Sequence, residues 1–385
     1  LISSIDGTIV SVHVESLMAT SVWRSWMLVA LVSMLSIAHT FVPPINHGLR
    51  VETSSHMRLG QLLLATSRVS PYVERNLQRQ VTRGANRVTK VTSGATDIAE
   101  GRSLHLFSPA KVNLFLRIIR RRDDGYHDLA SLFHTVSLGD ELTLEVLPEE
   151  REEDELECNL PGVPVDDSNL VIRALNLFRE RSGIRRFFRV NLQKSTPAQA
   201  GMGGGSSNAA TALYGANELC GRPASPAELL EWANDPIIGS DAAFFLSEGC
   251  AYCTGRGEIV TPVEQLPIQK DLPIFLVKPN YGLSTPKVFK ALDIARVSSV
   301  APEELLQTFQ KHGMSHDLWI NDLEDPAFEV SPDLSDLKKF LLKDEWGFQT
   351  VLMSGSGTTI FCVGHPKRPV AEVEAAIRKQ FDIEG

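Results

Sequence analysis

Pro197-Ala198-Gln199-Ala200-Gly201-Met202-Gly203-Gly204-Gly205-Ser206-Ser207-Asn208 is the stretch on which the reading of this chain turns. It follows a strand-like segment, 187–193, and opens an Ala-rich helical segment, 208–219. Glycines let backbone N–H groups come close to a polyanion, because no Cβ stands in the way. A helix N-terminus adds unpaired N–H donors and a partial positive charge. The hydroxyls of Ser206 and Ser207 can bond phosphate oxygens or a metal's water shell. Two familiar phosphate loops fail on spacing. A Walker loop needs Gly-Lys-Ser/Thr at its end, and no lysine stands there. A dinucleotide fingerprint needs a third glycine where Ser206 stands. A phosphate-binding loop of another type fits, against the alternative of a tight turn without a ligand.

Outward from the loop, strand-like and helix-like segments alternate from Leu104 onward. Segments 104–107 and 112–119 read as two strands, and Asp124-Gly125 after them is a turn dipeptide. Leu142, Leu144 and Val146 alternate along 141–147 as in a half-buried strand. Ser168 can cap a helix that runs to Arg181 and stops at Gly183. Ser225-Pro226-Ala227-Glu228 is a capping box with Pro at the first helical position, predicting a helix through Ala233. Segment 244–253 reads as a strand. Pro262, Pro267 and Pro273 then punctuate the chain, and a second set of elements begins. It comprises a strand at 273–279, helices near 287–292 and 331–342, strands at 350–353 and 358–363, and a final helix near 371–380. The expected fold class is α+β, in two halves at 101–268 and 269–385.

The loop is not alone. Pro-x-x-x-Gly-Met-Gly-Gly-Gly-Ser-Ser-Asn-Ala-Ala resembles the second motif of the GHMP kinases, named for galactokinase, homoserine, mevalonate and phosphomevalonate kinases. Ser108-Pro109-Ala110-Lys111-Val112-Asn113-Leu114-Phe115-Leu116 resembles the opening motif, with Asp124-Gly125-Tyr126-His127 at the right distance after it. Gly239-Ser240-Asp241 precedes Phe244-Phe245, and Met353-Ser354-Gly355-Ser356-Gly357 stands near the end. The resemblance covers about 104–380. It implies a two-domain GHMP kinase fold, with an N-terminal ATP-binding α/β half and a ferredoxin-like C-terminal half.

The resemblance also implies roles. ATP with Mg²⁺ would serve as cofactor, the metal's ligands being unassigned. Pro197, Ala200, Gly201, Met202, Gly203, Gly204, Gly205, Ser206 and Ser207 would hold the nucleotide. Asp241 would orient or deprotonate the attacking hydroxyl, as a carboxylate within hydrogen-bond reach can. Lys111 would keep Asp241 ionised and offset charge on the transferring phosphoryl group. The substrate would be a small molecule bearing a cytidine diphosphate group. Tyr126 would stack on cytosine, His127 would hydrogen-bond it, and Phe289 would close an aromatic sandwich. Asn113 would be a polar contact to substrate, and Gly355 and Gly357 would let the backbone approach its phosphates. Asn321-Asp322-Leu323-Glu324 also matches and reads as structural.

Several positions depart from the family pattern. Gln199 stands where many members have Gly, and Asp241-Ala242-Ala243 replaces a common Asp-x-Pro. Asn234-Asp235-Pro236 precedes Gly239. The sequence ends at Gly385, earlier than relatives that continue into a last strand.

The bulk numbers set limits. The chain has 385 residues, 43% of them hydrophobic, and a net charge of −9. That charge argues against a nucleic-acid binder with a basic surface. The first hundred residues are the exception at net +3, leaving −12 on the rest. Within them, Met18 and Arg24 precede the uncharged run 27–38, a signal-peptide pattern with cleavage expected near Thr40. The run is short for a membrane span, and the mature form is expected to have none. Residues 44–100 are basic and rich in Ser and Thr, like a transit peptide. Together, 1–43 and 44–100 resemble the bipartite leaders of proteins sent to plastids of secondary origin, and plastid stroma is the expected destination. A monomer or homodimer is expected. Cys250 and Cys253 form a lone C-x-x-C with no second pair, and read as buried strand thiols.

Overall fold

Two long antiparallel strands, β2 (Ser103–Arg121) and β3 (His127–Val146), form the spine of the N-terminal half. They belong to a computed structural model that describes residues 9–13, 98, 100–264, 266–268 and 272–381. The expected signal-peptide run and nearly all of the transit-like leader lie outside the described residues. The hairpin turn is the expected one: Gly125 has φ +84°, and Tyr126 N donates to Asp124 Oδ1 at 3.1 Å.

The segments read as two strands, 104–107 and 112–119, are one. Register breaks at Pro109/Lys111, Asn113/Phe115 and Ile118/Arg120 carry the pairing past Pro109. Bulges of this kind bend a strand and re-aim its side chains. β3 begins far earlier than its alternating stretch suggests. One of its edges pairs with β2. The other is shared end to end by β6 (Cys250–Gly255), along 129–134, and β5 (Phe188–Gln193), along 141–146. Residues 130–133 are all buried, so no period of two is visible there. β4 (Glu155–Cys158) adds in parallel to β5, and β7 (Ile259–Pro262) pairs with β6.

Helices α1 (Leu170–Ser182), α2 (Gly204–Leu219) and α3 (Pro226–Ala233) build the core of this half, with Phe178, Phe188, Leu213 and Phe244 inside it. Asn169, not Ser168, caps α1, accepting from Val171 N at 2.9 Å. Ser168 instead donates to Asp166 Oδ1. Gly183 ends the helix in the left-handed region, and the Ser225–Glu228 capping box is formed. Segment 244–253 is not one strand. α4 (Ala242–Phe245) is a single helical turn, and β6 starts only at Cys250. A short apolar run cannot be told from a buried helix by periodicity.

A second sheet has the order β1-β8-β10-β9, with β1 (Ile9–His13), β8 (Pro273–Val277), β9 (Thr350–Met353) and β10 (Ile360–Val363). Around it run α5 (Thr285–Ala291), α6 (Pro302–His312), α7 (Glu324–Val330), α8 (Pro332–Leu341) and α9 (Val370–Phe381). The sequence reading places neither α6 nor α7. α6 is nonetheless patterned, since its buried Leu305 and Phe309 stand four apart. The path strand, helices, two strands, helix is ferredoxin-like. The edge next to β8 is occupied by β1 (Ile9–His13), antiparallel from Ile9↔Val277 to His13↔Pro273. The sequence reading counted those residues among the leader.

The described elements fall in one compact unit. Ala110, Val112, Leu114 and Phe115 of β2 share a core cluster with Ile274, Leu276, Leu352 and Phe361 of the second sheet. Asn321-Asp322-Leu323-Glu324 ties the same seam. Leu116 N donates to Ile320 O at 2.8 Å, and Asp322 N to Leu116 O at 2.9 Å. Asp322 pairs with buried Arg117 at 2.9 Å. Cys250 and Cys253, three apart on one strand, point to opposite faces and enter different core clusters. Both are free buried thiols, and burial pushes Cys250 up to about 12.

Candidate active site

The glycine loop is itself the helix start. Gly203 is the N-cap of α2 at φ +69°, and Gly204 to Ser207 form its first turn. The sequence reading began this helix at Asn208, four residues late. Each glycine meets a different wall. A Cβ on Gly201 would lie 2.5 Å from the Ser354 carbonyl oxygen, and one on Gly203 would lie 2.9 Å from the Phe245 ring. A Cβ on Gly239 would lie 2.3 Å from Ser206 Oγ. Pro197 is half-buried at the loop's start, Gly205 is exposed, and Ser206 is half-buried. Ala200 and Met202 are buried in the core shared by the two halves, so these two serve the loop through their backbones. Met202 O accepts from Lys111 N at 3.0 Å. Ser207 departs from expectation: it is fully buried, and its hydroxyl accepts from Ser108 Oγ at 2.8 Å. Ser206 is left as the hydroxyl at the loop's surface.

Lys111 and Asp241 come together beside this loop. Lys111 Nζ lies 3.6 Å from Asp241 Oδ2, with the lysine side chain 5% and the aspartate 19% exposed. The first bulge of β2 aims Lys111 inward. Its Cγ would be 3.2 Å from a Cβ on Gly203, which puts the lysine stem against the helix start. Its ammonium donates to Asn113 Oδ1 at 2.7 Å and sits 4.5 Å from the centre of the Phe133 ring. Asn113 is buried and held by Ser131 Oγ at 2.8 Å and by Ser354 Oγ at 3.4 Å. Asp241 heads α4 and accepts from Ser240 Oγ at 3.0 Å. A buried cation therefore has one carboxylate, one amide oxygen and one ring face around it, and the carboxylate keeps an open side.

A cavity of about 780 Å³ adjoins the pair through Ser240. Tyr126, His127 and Phe289 line it, with Arg121, Arg256 and Lys290. Its volume suits a small-molecule site. His127 and Phe289 stack on each other, centroids 5.2 Å apart at 28°. Tyr126 is 58% exposed, with the Arg256 guanidinium 5.0 Å over its ring. Burial, then the charge of Arg121, holds His127 below the usual histidine range. Gly355 and Gly357 stand near the loop at φ +60° and +89°. Asn321 Nδ2 donates to Met353 O at 2.7 Å and to Gly355 O at 2.8 Å.

Comparison with known proteins shows the family. Residues 169–249 match the GHMP kinases N terminal domain, and 304–383 match the GHMP kinases C terminal domain. The chloroplastic 4-diphosphocytidyl-2-C-methyl-D-erythritol kinase of Oryza sativa subsp. japonica is 46% identical over 321 residues, covering 82% of this chain and 77% of the relative. That of Arabidopsis thaliana is 47% identical, covering 74% and 73%. The chain belongs to the 4-diphosphocytidyl-2-C-methyl-D-erythritol kinase family. It is thus a small-molecule kinase of the GHMP type. The same kinase of the bacterium Protochlamydia amoebophila is 46% identical, covering 70% of the chain and 87% of the relative. A crystal structure of a 4-(cytidine 5'-diphospho)-2C-methyl-D-erythritol kinase superposes with TM-score 0.59 at 31% identity, covering 72% and 96%. Homoserine kinase of Cytophaga hutchinsonii, at 19% identity and TM-score 0.54, shares the fold.

The sequence reading of the site lacks Arg121, Arg256 and Lys290, which line the cavity, and Ser131 and Phe133, which contact Asn113 and Lys111. Arg121 adjoins the Asp-Gly-Tyr-His motif, so proximity was an available signal. Ser131 and Phe133 reach the site through the pairing of β2 with β3, and Arg256 through that of β3 with β6.

Proposed function

We propose that this enzyme transfers the γ-phosphoryl group of ATP to the 2-hydroxyl of 4-diphosphocytidyl-2-C-methyl-D-erythritol, in the methylerythritol phosphate route to isoprenoid precursors. The Lys111–Asp241 pair carries the reading, because it lies between the start of α2 and the aromatic cavity. Backbone N–H groups at the start of α2 and the Ser206 hydroxyl face the ATP phosphates. Asp241 accepts the proton of the attacking hydroxyl as its oxygen bonds to the γ-phosphorus, and the bond to the β-phosphate oxygen breaks to release ADP. Lys111, 3.6 Å away, orients the Asp241 carboxylate and offsets negative charge on the group in flight. Tyr126, His127 and Phe289 take the cytosine, and Asn113 contacts the substrate's alcohol end.

Among the described residues no cluster of three His, Cys, Asp or Glu side chains could hold a metal. The local oxygen donors are Ser206 and Asp241. This set fits Mg²⁺, which takes one or two protein oxygens and completes its shell with phosphates and water. When bound, it neutralises phosphate charge.

The boundary near 268, between an ATP-binding half and a ferredoxin-like half, belongs to the same proposal. So does plastid import by the N-terminal leader, supported by the chloroplastic names of the plant relatives. No helix among the described residues is long and apolar enough to cross a membrane.

The test is ADP release from residues 101–385 with the cytidyl substrate, against homoserine and mevalonate. Only the cytidyl substrate is expected to turn over. Asp241→Asn should lower kcat by about 10²- to 10⁴-fold; a near wild-type rate would remove Asp241 from the mechanism.

A further inference from the structure

The two ends of the glycine loop are tied to one buried carboxylate. Asp140, on β3, is fully buried. Its Oδ1 accepts from Ser195 N at 2.8 Å and Thr196 N at 2.7 Å, where the chain enters the loop. Its Oδ2 accepts from Asn208 Nδ2 at 2.9 Å, where the loop has become helix. The same oxygen accepts from Lys194 Nζ, which also donates to Asn208 Oδ1 at 2.9 Å. Asn208 Nδ2 reaches Ser108 Oγ at 2.9 Å, and Ser108 Oγ donates to Ser207 Oγ at 2.8 Å. Ser108, Lys194, Ser207 and Asn208 are all at most 6% exposed.

Burying an ammonium, a carboxylate, an amide and two hydroxyls is costly unless each is bonded, and bonding them fixes their positions. The charge pair is not needed to fill the core, since apolar residues do that without desolvating ions. Its placement is specific to the loop. Lys194 Nζ would lie 3.6 Å from a Cβ on Gly204, directly under the helix start. Ser108 is three residues before Lys111 on the same strand.

We infer that Asp140, Lys194, Asn208 and Ser108 are positioning residues for nucleotide binding. They hold the loop between Thr196 and Ser207 in the shape that presents its N–H groups, so that ATP does not have to order it. This rests on the reading of the loop as the ATP phosphate site. Fixing a flexible segment in its bound shape raises affinity by removing the ordering cost. The effect belongs to ATP and not to the cytidyl substrate, because none of the four lines the aromatic cavity.

Asp140→Asn is the direct test. The KM for ATP should rise about tenfold or more, with the KM for the cytidyl substrate within about twofold. Amides of 197–206 should exchange hydrogen faster, while those of α1 keep their protection. Asp140→Asn leaves Lys194 unpaired and can unfold the chain. Asp140→Asn with Lys194→Met removes both charges, and Ser108→Ala removes only a hydroxyl. Ser108→Ala leaves the charge pair intact and should raise the KM for ATP about threefold or more, since it removes the two hydrogen bonds that the hydroxyl makes with Ser207 and Asn208. Folded variants in which the KM for ATP stays within twofold, or in which both KM values rise together, overturn the inference. A wild-type enzyme whose rate does not saturate with ATP would instead remove the phosphate-loop reading beneath it.

Discussion

Gln199 stands in the loop at a backbone position that favours glycine. Its φ is +53°, in the region that glycine enters freely. A side chain there costs about 1–2 kcal/mol. Gln199→Gly relieves that strain, but gives back about 0.4–1 kcal/mol through the freer unfolded chain. Thermal denaturation should therefore show stability within about 1 kcal/mol of wild type, in the stabilising direction. A loss of more than about 2 kcal/mol would mean that the Gln side chain itself supports the loop. His127 gives the pH prediction. Burial and Arg121 lower its pKa, so folding selects the neutral ring, the form that the proposed hydrogen bond to cytosine would use. The sign follows: this contribution is complete above the ordinary histidine value of about 6.5 and is lost as pH falls through the lower folded value. The KM for the cytidyl substrate should stay flat from pH 8 to below 6.5 and rise only at more acid pH. Arg121→Gln should move that rise toward neutral pH; an unmoved profile would exclude the Arg121 charge as a cause.

At the scale of elements, what could be read depended on whether the pattern was local. The capping box at Ser225, the glycine stop at Gly183 and the hairpin at Asp124-Gly125 involve neighbours, and each is where expected. The β2–β3 ribbon is longer than its sequence suggests, because Pro109 looks like a strand end and residues 130–133 are buried on both faces. The sequence pattern puts the helix start at Asn208, whereas the helix begins at Gly204. Glycines are poor helix formers, and only the packing of the first turn against Thr196, Phe245 and Lys111 holds them helical. The motif Asn321-Asp322-Leu323-Glu324 was legible as structural, and its partners explain why. Asn321→Ala would orphan the carbonyls of Met353 and Gly355 and should cost about 1–3 kcal/mol. It should also lower kcat/KM, since Gly355 adjoins the loop. Urea denaturation and steady-state kinetics on the same preparation check both; full activity at reduced stability would detach the motif from the site.

Over the whole molecule, the core under β2 joins the two sheets. Phe115 is fully buried there, with ring neighbours Phe309 at 5.9 Å and Tyr252 at 6.3 Å. Phe115→Ala should destabilise by about 3–5 kcal/mol through a cavity common to both halves. Unfolding should stay a single transition followed equally by fluorescence and circular dichroism, because both halves lose the same contact. Two separated transitions would show that the halves are energetically independent. The sequence by itself determined the chemistry: the glycine-loop motif, the Lys111 and Asp241 motifs, the aromatic motif and the kinase family are all carried by residue types at short spacings. Only the tertiary structure decided which groups meet. Lys111 and Asp241, Asp140 and Asn208, and Ser207 and Ser108 lie far apart in sequence. Their pairing depends on strand register and bulges, and a bulge of one residue reverses which face a side chain occupies. Ser207 and Ser206, identical in type, part company because they are successive residues of one helical turn: Ser207 faces the core and Ser206 the surface.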